Sequence, residues 1–110
     1  MNDNSKNVKI LCVCREGNVR SVATKRRLNR RKYFNVVAVG IAASTPELKN
    51  MLCSWADIIL IAEPHHIKGL PDIAAKKINN DFTIGAEVWS NFNNPELQEL
   101  IKHQLNKIGL

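Results

Sequence analysis

The sequence predicts an α/β fold in three layers, α/β/α, built on a four-stranded parallel sheet. Two observations carry this expectation. Short β-branched or apolar runs alternate with helical segments along the whole chain. Two of those helices also open on a polar residue followed by Pro and Glu, a strong start signal. A chain in this order builds right-handed β-α-β units whose strands lie between helices. At 110 residues it is expected to form one domain, 1–110, with residues 1–7 a flexible polar start.

Lys9–Val13 is a short apolar run and reads as a buried strand. Gly17 and Asn18 in the next segment suit a tight loop. From Ser21 to about Lys32 the residues favour helix by propensity, although the apolar stripe is weak. Val36–Ile41 is β-branched and predicts the second strand. Ser44-Thr45-Pro46-Glu47 then starts a helix, with Leu48, Met51, Leu52 and Trp55 as its expected apolar face. Asp57–Ala62 predicts the third strand, followed by a helical turn around His65–Leu70. Lys76 to Ile84 is expected to hold the fourth strand. Asn94-Pro95-Glu96 opens the last helix, striped by Leu97, Leu100, Ile101, Leu105 and Ile108.

The hydrophobic share of 45% is ordinary for a folded domain. No apolar run approaches the roughly 18–20 residues that cross a membrane, and the first residues carry no apolar leader. The expectation is therefore a cytoplasmic protein with no membrane association, whose Cys12, Cys14 and Cys53 stay as thiols. The net charge of +6 is concentrated in Lys25-Arg26-Arg27 and Arg30-Arg31-Lys32. Only Tyr33 and Phe34 accompany that block, so a nucleic-acid platform, which needs interleaved aromatics, is not expected. The plainer reading is a solvated basic helix face.

In open parallel sheets ligands bind beyond the carboxyl ends of the strands, which points to the first loop. It runs Cys14-Arg15-Glu16-Gly17-Asn18-Val19-Arg20-Ser21. A loop entering a helix presents backbone N–H groups at the positive end of the helix dipole, an anion site in itself. Arg20 can add a bidentate fork to two phosphate oxygens. The same amides and arginine would favour the thiolate form of Cys14, the reactive form toward phosphorus. Ser21 can donate its hydroxyl to that sulfur. Residues Arg15, Glu16, Gly17, Asn18, Val19 and Arg20 are thus the expected phosphate-binding loop, able to hold a phosphate or sulfate ion.

Cys-x5-Arg-Ser is the shared signature of cysteine-based phosphatases. Its position near the amino end resembles the low-molecular-weight protein tyrosine phosphatase family. Val39-Gly40-Ile41-Ala42 and Trp55–Glu63 resemble that family's second and third strand regions, and the likeness extends weakly from Val8 onward. The resemblance implies that fold, with Cys14 as nucleophile, Arg20 binding phosphate and Ser21 tuning the cysteine. It implies hydrolysis of phosphotyrosine or another aryl phosphate, on a phosphorylated protein or small molecule, through a phosphocysteine and without cofactor or metal. Gly17 and Asn18 lie one place later than the family's glycine and asparagine, and the chain is shorter than most members.

Such chemistry needs a general acid for the leaving oxygen. The family's Asp-Pro is absent; the nearest dipeptide is Asn94-Pro95, where Asn94 is better read as a helix cap. Glu87, followed by Trp89, is the first candidate acid and Asp81 the second, against a turn role for Asp81 and simple packing for Trp89. Cys12 and Cys53 read as buried small hydrophobes. Glu63, His65 and His66 lack the spacing of a metal site, and adjacent histidines on a regular element do not face one point. Three other readings share this loop. One is a catalytically weak phosphate- or phosphoprotein-binding module, suggested by the missing Asp-Pro. Another is a phosphocysteine carrier resembling the IIB components of sugar phosphotransferase systems, whose loops usually lack the arginine. The last is an arsenate reductase, which needs resolving cysteines that Cys53 alone hardly supplies.

Overall fold

A computed structural model describes residues 7–86 and 88–110; the start at 1–6, most of the expected flexible segment, and Glu87 lie outside the described residues. The elements follow in the order β1 (Val8–Cys14), α1 (Arg20–Leu28), β2 (Phe34–Gly40), α2 (Pro46–Trp55), β3 (Ile58–Ile61) and α3 (Pro95–Lys107). Two 3-10 turns, Pro64–Gly69 and Asp72–Lys76, join β3 to the later chain. The second of these was not foreseen in the sequence. The strands form one parallel sheet in the order β2-β1-β3, with β1 in the centre.

Successive side chains of a strand point to opposite faces, and β1 shows what that does to a central strand. Ile10, Cys12 and Cys14 enter one core with Ala23 and Leu28 of α1 and Leu97, Ile101 and Leu105 of α3. Leu11 and Val13 enter the other with Cys53 of α2, Ala56 and Ala74. Helices therefore cover both faces, and the class is α/β. Cys12 and Cys53 are buried thiols, as their packing role requires. Burial in the first core pushes the Cys12 thiol well up, which keeps it protonated and unreactive.

The expected fourth strand is not there. Lys76 to Ile84 makes a single parallel bridge, Ile59 with Ile78. The Asn79 N–H still reaches the Ile59 carbonyl at 3.1 Å, but the Asn79 side chain then accepts the Asp81 N–H at 3.0 Å. That local Asx turn gives the backbone an alternative to the ladder, and pairing stops after one residue. Beyond it, Phe82 and Ile84 drop into the core under α1 and α3.

Two helices also differ from expectation. The first ends at Leu28 rather than near Lys32, because Asn29 caps it and Arg30 and Arg31 continue as turns. In α2 the residue against the sheet is Cys53, with Leu52 and Trp55 half-buried beside it. Met51 lies about 200° around the helix from Cys53 and is 61% exposed; Leu48 is 37% exposed. The stripe is thus rotated from the expected face, with Leu52, Cys53 and Trp55 packed among Leu11 and Val13 of β1 and Ala74 of the 3-10 turn Asp72–Lys76.

The helix starts are where they were expected. Thr45 accepts the Leu48 N–H at 3.1 Å, and Asn94 accepts from Glu96 and Leu97 at 2.9 and 3.3 Å. Asn94→Ala is expected to cost about 1 kcal/mol, since two first-turn donors lose their acceptor. A fall in Tm of several degrees by circular dichroism would register it; an unchanged Tm would deny the cap any weight.

Candidate active site

The loop between β1 and α1 is built from three local features. Cys14 ends β1, so its side chain stands at the carboxyl edge of the sheet while its backbone is still held by the ladder. Gly17 adopts φ +77°, a left-handed conformation that glycine takes without strain, and this turns the chain back over the sulfur. The Gly17 N–H donates to Cys14 Sγ at 3.1 Å. Helix α1 then begins at Arg20 with no side-chain cap at Val19 and no acidic residue in its first turn, so the positive end of its dipole is not neutralised locally.

Ser21, in that first turn, is buried and places Oγ 3.1 Å from Cys14 Sγ. The sulfur is therefore flanked by a backbone amide and a hydroxyl, both able to stabilise negative charge on it. The loop is tied to β2 by the Ile41 N–H on the Cys14 carbonyl at 3.0 Å and the Ala42 N–H on the Arg15 carbonyl at 2.9 Å. Gly40 lies directly against it: a Cβ there would meet the Glu16 backbone and stand 2.5 Å from Gly17 N. Glu16, whose carboxylate stands in an anion-binding sequence, turns outward and pairs at 3.6 Å with Arg15, both exposed. Asn18 is also exposed.

Arg20 is buried to 2% exposure, and its NH1 donates to Glu63 Oε2 at 2.6 Å and to the Gly85 carbonyl at 2.5 Å. The guanidinium is thereby fixed at one corner beside the loop. The Arg20 hydrogen bond holds the Glu63 carboxyl below its ordinary range, with smaller help from His65 and His66 against the opposing effect of burial. Glu63 is thus a carboxylate and a poor proton donor near neutral pH. It was considered only as a metal ligand in the sequence. A signal was nonetheless present, because Glu63 stands just past the carboxyl end of β3, where α/β sites form.

Glu63, His65 and His66 converge, their ligand atoms lying within 4.8 Å of one another. Glu63 is 3.8 Å from His65 Nδ1 and 3.5 Å from His66 Nε2. The argument that adjacent histidines cannot share a focus fails here. Both histidines lie on the 3-10 turn Pro64–Gly69, but Glu63 is extended and precedes it, and its two oxygens reach one ring each, Oε1 toward His65 and Oε2 toward His66. The carboxylate they share already serves Arg20.

The remaining candidates stand apart in different ways. Asp81 is exposed and sits in the Asn79 turn, which is the turn role. Trp89 is partly buried against the α1 and α3 core, which is the packing role. Asp57 opens β3 and accepts the Lys9 N–H at 3.0 Å.

Fold and loop together define a class: an α/β protein with a Cys-x5-Arg-Ser loop after its central strand. No protein-family model, curated protein or solved structure matches the chain, so no family is assigned to it. No helix among the described residues is long and apolar enough to cross a membrane.

Proposed function

We propose that this protein is a cysteine-dependent phosphatase of the low-molecular-weight tyrosine phosphatase type, acting on phosphotyrosine or related aryl phosphates. The observation that carries the reading is the surround of Cys14 Sγ: an amide and a hydroxyl at 3.1 Å each, beside a buried arginine at an uncapped helix start. A structural cysteine has no need of an amide donor together with a hydroxyl that accepts from the thiol and can donate to the thiolate; a nucleophile and leaving group does.

In the proposed reaction the Cys14 thiolate attacks phosphorus in line, the P–S bond forms and the ester P–O bond breaks. The loop amides and Arg20 neutralise the equatorial oxygens. The departing aryl oxygen takes a proton from a general acid, for which Glu87 is the first candidate. Water then attacks phosphorus and gives a proton to the conjugate base of that acid, the P–S bond breaks, and Ser21 and the Gly17 amide stabilise the returning thiolate. Glu63 acts through Arg20, holding the guanidinium.

The test is hydrolysis of para-nitrophenyl phosphate between about pH 5 and 7, where a cysteine thiolate and a carboxyl acid act together. Cys14→Ser is expected to abolish turnover, and Glu87→Gln to lower kcat by roughly 10²-fold. A wild-type protein without turnover, in which phosphate still protects Cys14 from alkylation, would replace the proposal by a phosphate-binding module. A specific observation favours that second reading: the carboxylate on Arg20 competes with a bound anion for the same cation.

A further inference from the structure

Arg26, Arg30, Arg31 and Lys32 of the basic block are exposed, as a solvated face requires, but that face is not flat. Arg26, Arg27 and Arg30, from the end of α1 and the turn after it, line one wall of a cavity of about 320 Å³. Asn93, Gln98 and Glu99, at the start of α3, line the other. A smaller cavity of about 80 Å³ shares Arg27 and Arg30 and adds Arg31 and Lys102. Among the residues lining these two neighbouring cavities, on the α1 and α3 side of the sheet, are five cationic side chains and one acidic one, Glu99.

We propose that this pair of cavities is a second anion site, separate from the Cys14 loop, that binds an acidic, phosphorylated segment of another polypeptide. Three features choose that occupant. Arginine presents planar forks that match phosphate and carboxylate oxygens, and three of them here serve one cavity. The Asn93 amide adds a group that can donate to and accept from a peptide backbone, and Gln98, whose Nε2 already donates to the Phe92 carbonyl at 2.6 Å, adds an acceptor. A nucleic acid would need exposed aromatic faces for its bases; Phe92 is instead covered by the Arg26 guanidinium, 5.0 Å from its ring centre. Tyr33, 63% exposed, stands alone at that end of α1. Two neighbouring cavities that both draw on Arg27 and Arg30 suit a chain bearing anionic groups in succession rather than a single free phosphate.

The site stands whether or not the Cys14 loop turns over substrate, and its test uses binding alone. The probe is a fluorescein-labelled Glu/Gly peptide carrying two phosphoserines, followed by anisotropy at about 0.1 M salt, where exposed charges more than about 10 Å apart are largely screened. Two variants remove the same charge: Arg26→Gln with Arg30→Gln in the cavity, and Lys68→Gln with Lys76→Gln elsewhere. All four side chains are exposed, so both variants are expected to fold. The cavity variant should weaken binding by at least about tenfold, and the lysine variant by less than about twofold. Equal losses in the two variants would show that net charge alone attracts the peptide and would overturn the site. Wild-type binding no tighter than to the matching Gln/Ser peptide would do the same. Tighter binding of a labelled oligouridylate that displaces the peptide would overturn the choice of a polypeptide partner.

Discussion

Gly40→Ala is expected to cost about 3 kcal/mol of stability and to unseat the Cys14 loop. The methyl has nowhere to go. It would press on the backbone of Glu16 and come within 2.5 Å of Gly17 N, and both belong to main chain that cannot swing aside as a side chain would. Relief requires the loop to lift from β2, which breaks the bonds from Ile41 and Ala42 to the Cys14 and Arg15 carbonyls. Lifting also carries the Gly17 amide away from Cys14 Sγ. Under the proposed function a displacement of about 1 Å costs on the order of a hundredfold in turnover. Two measurements separate the effects: urea unfolding for stability, and the rate of Cys14 alkylation with and without phosphate for the loop. Wild-type stability in Gly40→Ala would mean that loop and strand are less closely joined than their backbones indicate.

The second large effect is at Glu63. Its carboxylate is 19% exposed and its partner Arg20 only 3%, so removing the acid takes the Glu63 charge away from a buried guanidinium that also donates to the Gly85 carbonyl. Glu63→Gln keeps an oxygen acceptor and removes the charge, and should cost about 2 kcal/mol. The effect has a definite pH dependence. Arg20 holds the Glu63 carboxyl below the ordinary value of 4.5, so the folded state binds its proton less readily than the unfolded chain. The stabilisation is complete above the unfolded value and disappears as pH falls through the lower, folded one. The gap between wild type and Glu63→Gln should therefore be full at pH 7, start to close only below 4.5, and vanish in stronger acid. A gap that stays constant into acid would remove the ion pair from the account. In the proposed phosphatase the same variant should raise KM for para-nitrophenyl phosphate more than it lowers kcat, because Glu63 acts on the placing of Arg20.

Much of this protein is legible in the residues by themselves. The order of strands and helices follows from local patterns: the apolar run before Cys14, the β-branched run before Gly40, and the Thr45-Pro46 and Asn94-Pro95 starts. The Cys14–Ser21 loop is equally local, since its sulfur, amide and hydroxyl come from one strand end and one helix start. Alternation along β1 also determined which cysteine would share a face with which: Cys12 with Cys14 in one core, Val13 in the other. Interactions that close within a few residues leave their mark in a short window of sequence.

Other decisions needed the folded chain. Whether Lys76–Ile84 pairs as a strand depended on a contest between the β3 edge and the Asn79 side chain, and the local bond won after one bridge. The rotation of α2 about its axis depended on what packs beneath it, β1 and the distant 3-10 turn Asp72–Lys76. The partner of Arg20 lies 43 positions away, and the carbonyl that shares its guanidinium lies 65 away. The contact of Gly40 with Gly17 and the convergence of the α1 arginines on the start of α3 are of the same kind. Each joins groups whose separation in sequence carries no periodic or spacing signal. Only packing on the two sheet faces brings them within reach: it gathers Arg20, Glu63, Gly85 and the Gly17–Gly40 contact at the carboxyl ends of the strands, and it sets the end of α1 beside the start of α3.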